Sequence, residues 1–525
     1  MSSTTTSNFS SRVSGAGFGN LPHHFLQAFR IAARFGIQYV WIDSLCIIQD
    51  AAGDWEAEST MMGGYYQLAA FTVISTFSTP ESYADCRPPK PRSLARLPYL
   101  DDTGVRKGFF YVYPQRPASD LSNKFTEHMR RSQILTRGWV FQEWLLSRRI
   151  LCFTPSGVYT QCMCPDDTVR NQLGEDIGLD SVSNTNTAAY LPVKYSLRLQ
   201  FYSDEDIYCS WESVVEQYSR LAFSYPEKDR MVALLGIARE FTVRLAQTPC
   251  QKNLQTTDDC VAGLWKGELE RGLLWEQVSP GVHKRLSNFP TWSWASIYSA
   301  VRWKGRRRIN YQGYDMTMTE ISVKMWRRSW VKREFTFVVC TTPQSHGIRA
   351  IDHPLDQQMG SLPEGLLDPC RDRTMAGPHT YVLHLRGRLQ AVHIGDYRRP
   401  REVPNLVTPE IIIDGSGQEG QSFSARRNVN IAGLRHVISG WASVEHPEFQ
   451  NDAAFSGSPM IFALLVSSTA PRTFLGASTE FNVLYLRRSE KSVLDGFERV
   501  GMGKLFGDKA ADGFRLATVR DVSLL

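Results

Sequence analysis

Residues 39–50 carry an acid in the middle of an apolar run. They read Tyr-Val-Trp-Ile-Asp-Ser-Leu-Cys-Ile-Ile-Gln-Asp, so Asp43 and Ser44 interrupt residues that otherwise favour a buried strand. Because an unpaired buried carboxylate is costly to desolvate, Asp43 has two interpretations. It is either the buried partner of a base such as Arg137, or it lies in a loop where a ligand can contact it together with Ser44.

A second polar group stands in residues 136–147, where Arg137 and Gly138 precede a helical pattern that contains Gln142 and Glu143. An Arg beside a Gly at a helix start can bind a phosphate group, because the guanidinium joins the free backbone N–H groups of the first turn. The same residues also fit a buried hydrogen-bonded network that only holds the fold together. The sequence leaves both interpretations open.

Several other chemistries lack their residue patterns. Residues 415–420 are a literal Gly-x-Gly-x-x-Gly, but no apolar helical stripe follows them, so a polar loop explains them better than a dinucleotide site. The ten cysteines form no repeating frame, and Cys162 and Cys164 stand one residue too close for a zinc knuckle. We therefore expect no metal site and reduced structural thiols, with Cys46 buried and inert.

The net charge of +6 is concentrated in one stretch, because residues 301–340 hold ten Lys or Arg against three Asp or Glu. Aromatic residues interleave with these cations, a pattern that suits nucleic acid. Lys and Arg also protect exposed sheet edges from pairing, and this simpler interpretation is favoured for residues 302–333. The N-terminus shows no secretory signal, and no run reaches the ~18 apolar residues of a membrane-spanning helix. A cytoplasmic protein is expected.

Local patterns alternate between helix and strand in the first part of the chain. The predicted elements are a helix over residues 21–36, a strand over 39–48, a helix over 53–69 and a strand over 70–75. This alternation predicts parallel strands with flanking helices. Residues 205–275 show helical periodicity, and short β-runs dominate after residue 290. The fold class expected is α/β, followed by a helical extension and a β-rich C-terminal region.

The order of these motifs resembles the heterokaryon incompatibility (HET) domain family of filamentous fungi. The matching blocks are residues 39–50, 54–66, 136–151, 225–238, 262–265 and 290–296. Such domains usually open with a strand and turn of the type Leu-Ser-Tyr-x-Trp-Gly, and residues 1–20 show nothing of that kind. The resemblance therefore implies a HET domain whose opening strand is missing.

The same resemblance implies the organisation and the biological role. A disordered tail is expected over residues 1–20, then an α/β domain of the Toll/interleukin-receptor (TIR) type over 21–155, with a parallel sheet and flanking helices. The helical extension is expected over 156–300 and the β-rich region over 301–525. The implied role is fungal vegetative (heterokaryon) incompatibility, non-self recognition and regulated cell death.

A remote similarity of HET domains to TIR domains implies a chemistry, since some TIR domains cleave NAD. Their carboxylate lies about a turn after a Trp at a helix start, and Trp55-x-x-Glu58 resembles this arrangement. By this resemblance Glu58 is the catalytic group, because a carboxylate near the ribose stabilises an oxocarbenium-like state. Ligand contacts are then expected at Asp43, Ser44, Arg137 and Glu143. NAD would be the substrate, and no cofactor is expected.

The alternative function is not catalytic. Glu58 is equally well placed to complement the dipole of its helix as a solvated first-turn acid. The chain would then be an interaction and signalling module that binds protein partners or a second copy of itself through the HET domain. Nucleic acid, bound through residues 302–333, is the least favoured partner.

Overall fold

A computed structural model describes sixteen segments of the chain. They are residues 3–15, 21–76, 95–112, 118–163, 169–171, 204–248, 260–278, 284–303, 331–333, 335–342, 380–397, 426–432, 438–445, 460–469, 480–489 and 496–525. The chain divides into two compact units, Met1–Arg198 and Leu199–Leu525.

The first unit contains six helices and six strands within the described residues. The helices are α1 (Phe9–Val13), α2 (His23–Arg34), α3 (Asp43–Cys46), α4 (Ala52–Leu68), α5 (Ala118–Arg131) and α6 (Gly138–Leu146). The strands are β1 (Thr72–Ser75), β2 (Ala95–Leu100), β3 (Arg106–Val112), β4 (Arg149–Thr154), β5 (Gly157–Cys162) and β6 (Val169–Asn171). This unit is the α/β domain that the alternation of helix and strand predicts.

Strands β2 and β3 form a separate antiparallel pair. The four-stranded sheet of this unit is mixed. It has the order β1-β4-β5-β6, with β1 parallel to β4 and the other pairs antiparallel. A tight hairpin joins β4 to β5 at Gly157, whose φ of 138° lies in the region that favours glycine. Trp144 and Ile150, both fully buried, belong to the core against this sheet. Parallel strands are therefore present as predicted, but β1 pairs with β4 and not with the strand expected over residues 39–48.

The strand predicted over residues 39–48 is wrong. Its second half forms α3, and residues 37–42 belong to no strand of the described structure. The carboxylate of Asp43 accepts a hydrogen bond from the Ser44 N–H at 2.7 Å, and the Ile42 carbonyl accepts from the N–H groups of Leu45 and Cys46. Such local bonds compete with a strand ladder, so the polar pair turns the apolar run into a helical turn.

Part of the tail expected over residues 1–20 is folded onto this turn. The Thr4 N–H donates to the Ser44 carbonyl at 2.8 Å, and the Gln49 N–H donates to the Thr4 carbonyl at 2.9 Å. The Thr6 hydroxyl donates to the Asp50 carboxylate at 2.7 Å. Residues 3–15 thus support the segment that contains Asp43.

The thiols differ from the expectation at one position. Cys162, at the end of β5, is disulfide-bonded, so the prediction of reduced thiols is wrong there. Cys46 and Cys152, whose side chains are described, carry free thiols.

The second unit begins with a helical part. Its elements are α7 (Asp204–Tyr218), α8 (Pro226–Val232), α9 (Leu235–Gln247), α10 (Leu269–Gly272), β7 (Cys260–Val261), β8 (Leu264–Trp265), β9 (Trp275–Gln277) and β10 (Val301–Trp303). Tyr218, Trp275, Trp292 and Trp294 are fully buried and fill its core. The predicted helical middle is confirmed.

The rest of the second unit is a nine-stranded sheet with one helix. Its elements are β11 (Val331–Arg333), β12 (Phe335–Thr342), β13 (Thr380–Tyr397), β14 (Arg426–Ile431), β15 (Ile438–Val444), β16 (Ile461–Thr469), β17 (Glu480–Arg488), β18 (Gly496–Phe506), β19 (Val519–Leu524) and α11 (Gly507–Leu516). The strand order is β11-β16-β17-β18-β15-β14-β13-β12, and β19 joins β13 and β18. All pairs are antiparallel except β18 with β19. The predicted β-rich C-terminal region is confirmed.

A buried ion pair connects the helical part of this unit to its sheet. The Arg499 guanidinium donates to both carboxylate oxygens of Glu445, at 2.9 and 2.7 Å. It also donates to the carbonyls of Leu273 and Trp275, and lies 3.6 Å from the centroid of the Trp275 ring. The helical extension and the β-rich region therefore form one compact unit.

The basic stretch lies mostly outside the described residues, because only residues 302–303 and 331–333 of its 302–333 span are described. Residues 168–192, whose Ser-, Thr- and Asn-rich sequence suits a linker or surface loop, also lie outside the described residues, apart from 169–171. None of the helices in the described part of the chain combines the length and the apolar character that a membrane crossing needs.

Candidate functional site

All the residues that the sequence proposes for a site lie on helices α3, α4 and α6 of the first unit or at the N-terminal cap of α6. The Asp54 carboxylate, in the first turn of α4, accepts the Ile48 N–H at 2.7 Å and so fixes the turn between α3 and α4. Trp55 of α4 meets Trp139 of α6 edge to face, with ring centroids 6.2 Å apart. This contact holds α4 against the start of α6.

Glu143 lies partly buried in the middle of α6, and the Tyr66 hydroxyl of α4 donates a hydrogen bond to its carboxylate. Burial raises the pKa of Glu143 to about 7, and the negative charge of Asp43 raises it as well. The Tyr66 hydrogen bond and the positive charge of Arg137 act in the opposite direction. Burial and the charges of Glu143 and Asp43 also hold the pKa of Tyr66 well above its usual value. The Glu143 carboxyl group can therefore exchange a proton near neutral pH.

Glu58 also has a tyrosine partner, the residue that precedes Tyr66. Tyr65, beside Tyr66 on α4, donates a side-chain hydrogen bond to the Glu58 carboxylate. Burial and this bond raise the pKa of Tyr65 to about 12, so the phenol stays a donor. Adjacent tyrosines thus serve two different carboxylates, one on their own helix and one on α6.

Trp41 positions both tyrosines. Its ring centroid lies 5.3 Å from that of Tyr65 and 5.7 Å from that of Tyr66. The two phenol rings therefore pack against the Trp41 ring. Aromatic contacts at such distances restrict ring orientation, so each hydroxyl keeps its carboxylate partner.

Asp43 is exposed at the first position of α3. Its charge nevertheless acts on Glu143, Tyr66 and Cys46, since it contributes to the raised pKa of each. Exposure overturns the interpretation of Asp43 as a buried partner of Arg137. The interpretation that a ligand can reach it stays a prediction.

Ser44 and Arg137 border the same cluster. Ser44 follows Asp43 in α3, and its carbonyl is held by the Thr4 N–H. Arg137 is exposed and is the N-terminal cap of α6, which begins at Gly138 as the sequence predicts. Its positive charge reaches both Glu143 and Tyr66. A phosphate group bound there would lie beside the carboxylates.

The sequence reasoning placed Glu58, Asp43, Ser44, Arg137 and Glu143 in a site, and the structure brings them to three adjoining elements. The sequence did not indicate Trp41, Tyr65 and Tyr66 as site residues. Their signal is the adjacent tyrosine pair two helical turns after Glu58, on the same helix. That pattern was available, but it predicts an apolar stripe equally well.

Cys46 is exposed as a residue, yet desolvation of its sulfur is the largest cause that raises its pKa. The charges of Glu58 and Asp43 raise the same pKa. The thiol is therefore held in its unreactive form, although it is not buried as expected. Within the described ranges, no group of His, Cys, Asp and Glu side chains could hold a metal ion.

Comparison with protein families gives the class of the first unit. Residues 3–143 match the family model described as heterokaryon incompatibility protein (HET). The first unit is thus an α/β domain with a parallel strand pair, and the chain carries a HET domain over residues 3–143. The match contains every residue of the site. No curated protein and no solved structure matches the chain.

Proposed function

We propose that this HET domain acts in fungal heterokaryon incompatibility, as a cytoplasmic effector of non-self recognition and regulated cell death. Membership of the family supports this role. The observation that carries a chemical version of it is the convergence of three carboxylates, Glu58, Asp43 and Glu143, around Tyr65 and Tyr66. A cluster of acids in which one member, here Glu143, has a perturbed pKa is typical of a catalytic site.

The reaction that we propose is hydrolysis of the bond between nicotinamide and ribose in NAD. Glu58 stabilises the positive charge that develops on the ribose as the bond breaks. Arg137 binds a phosphate group of the dinucleotide, and Asp43 with Ser44 contacts a ribose. Tyr65 holds the Glu58 carboxylate in place, so a fixed charge meets the developing cation.

The test uses the purified full chain, separated into monomeric and assembled fractions. Each fraction is incubated with NAD, and released nicotinamide is measured by chromatography. We expect turnover, and a loss of at least about 100-fold in Glu58→Gln, the range of one electrostatic contact in a transition state. Glu56→Gln is the matched control, because Glu56 is an exposed acid of the same helix. Absence of turnover in every fraction would reject NAD cleavage.

The second candidate function is a non-catalytic interaction module. Three large apolar side chains of the first unit, Phe35, Tyr39 and Leu68, are 63%, 87% and 72% exposed. They are suited to bind a protein partner or a second copy. This function predicts that Glu58→Gln still triggers growth arrest in a fungal host, whereas Phe35→Ser with Tyr39→Ser does not.

A further inference from the structure

Arg285 of the second unit is a buried cation without a matching acid. Its Nη2 atom donates a hydrogen bond to the Arg499 carbonyl oxygen at 3.0 Å. Its Nε and Nη1 atoms are buried, and nothing in the described part of the chain accepts a hydrogen bond from either. Burial lowers the pKa of Arg285 to about 10, so the guanidinium is still charged at neutral pH. Because a buried charge normally has a partner, these N–H groups require an acceptor that the described side chains do not supply.

The two carboxylates that act on Arg285 are each bonded to another guanidinium. Both oxygens of Glu445 accept from Arg499, at 2.9 and 2.7 Å. Glu498 accepts twice from Arg487, at 3.1 and 2.9 Å. The positive charges of Arg499 and Arg487 also act on Arg285 and oppose its own charge. In the described part of this unit, three neighbouring guanidinium groups thus share two carboxylates, and the surplus positive charge falls on Arg285.

The backbone holds Arg285 near the surface of the unit. Arg285 forms an antiparallel β-bridge with Ile297, and the Leu286 N–H donates to the Ser296 carbonyl at 2.8 Å. The residue as a whole keeps partial contact with solvent, although its Nε and Nη1 atoms are buried. These N–H groups therefore lie just below the surface, where a small movement of the side chain exposes them to an anion from solvent.

We propose that Arg285 is the centre of an anion-binding site in the second unit, and that its ligand is a phosphate group. Guanidinium groups bind phosphate through charge-assisted hydrogen bonds, and the several oxygens of a phosphate accept from more than one N–H. Its negative charge also offsets a guanidinium that already faces two others. The site belongs to the second unit, so this inference does not depend on the NAD cleavage proposed for the first.

Thermal unfolding of the full chain in inorganic phosphate tests the site, because a ligand of the folded state raises the unfolding temperature. Calorimetric titration of the folded chain first gives the dissociation constant. We expect the transition of the second unit to rise by about 5 °C at about 100 times that constant, relative to chloride of equal ionic strength. Arg285→Gln should lose this rise. Arg515→Gln should keep it, because Arg515 is an exposed arginine of the same unit.

A wild-type chain that neither binds phosphate nor responds to it overturns the inference. An equal rise in Arg285→Gln also overturns it, since the rise would then be a general effect of salt. If Arg285→Gln does not fold, Arg285→Lys decides. Lysine keeps the charge but loses the Nε and Nη1 donors, so phosphate affinity should fall about tenfold or more, and an unchanged affinity overturns the inference.

Glycerol 3-phosphate in place of inorganic phosphate identifies the source of the phosphate group. A larger rise than with inorganic phosphate, again lost in Arg285→Gln, supports a site for an organic phosphate. An equal or smaller rise that is lost in the same variant supports a site for the free ion.

Discussion

Glu143 of the first unit and Glu445 of the second are acids whose pKa is raised by burial, but their surroundings differ. Glu445 is completely inaccessible and bonded to Arg499 through both oxygens. Glu143 keeps partial exposure, its hydrogen-bond partner is the phenol of Tyr66, and a second acid adds to its cost. One acid is neutralised by a fixed cation, and the other exchanges its proton near pH 7.

Structural and functional acids of this chain differ in more than their burial. Burial alone raises both pKa values, so the shift does not identify a site. What separates the two is access to solvent and the kind of partner, since a bidentate guanidinium fixes a carboxylate in its charged form. The acid that is sheltered, reachable and beside a like charge is the one to test for chemistry.

The largest effect should come from breaking the Arg499–Glu445 pair. Glu445→Gln leaves a buried guanidinium without its counter-charge, so we expect a loss of about 3–5 kcal/mol in the free energy of unfolding. Scanning calorimetry of the full chain measures it, with the affected transition belonging to the second unit. Arg515→Ala, which breaks an exposed pair with Asp512, is the control and should not move the transition. A small change in Glu445→Gln would show that the pair does not hold sheet and helices together.

A smaller effect should come from the pH dependence of the first unit. The pKa of Glu143 is raised in the folded chain to about 7. A raised carboxyl pKa contributes stability at low pH, and this contribution is lost as the pH rises through the folded value. Between about pH 5 and pH 8 the first unit should lose about 1–3 kcal/mol, a range reduced for solvent screening.

Glu143→Gln should remove that dependence, because the amide does not titrate. Thermal unfolding at several pH values, followed through the transition of the first unit, measures the stability of wild type and variant. Glu127→Gln serves as the control, because Glu127 is an exposed acid of α5. Parallel pH curves for wild type and Glu143→Gln would contradict the raised pKa and remove the contrast with Glu445.

Much of the frame around this site is predictable from local sequence. Gly138 begins α6 as expected, and β1 lies within the strand predicted over residues 70–75. These boundaries follow from caps and periodicity, which act within one turn. The strand predicted over 39–48 failed because the side chain of Asp43 bonds the next backbone N–H, a local effect that hydrophobic periodicity does not include.

The chemistry of the site depends on contacts that local patterns do not encode. Tyr66 meets Glu143 only because α4 and α6 pack together at Trp55 and Trp139. The apolar residues around Asp43 suggest that it is buried, but Asp43 is exposed. Its exposure depends on which other elements cover α3. Residue types could therefore nominate the site, but the pairing of each tyrosine with its carboxylate required the packing of helices.

The smallest effect distinguishes the two states of Glu143 directly. Tyr66→Phe removes the hydrogen bond to Glu143. Such a bond contributes about 1 kcal/mol to the free energy of unfolding when the acceptor is neutral and about 1.5–3 kcal/mol when it is charged. The loss of stability should therefore grow as the pH rises through the pKa of Glu143, and unfolding at about pH 5 and pH 9 measures both values. Tyr39→Phe is the control, because the Tyr39 side chain is 87% exposed. A loss that is equal at both pH values would mean that Tyr66 supports Glu143 in a single protonation state, and Glu143 would then resemble Glu445 after all.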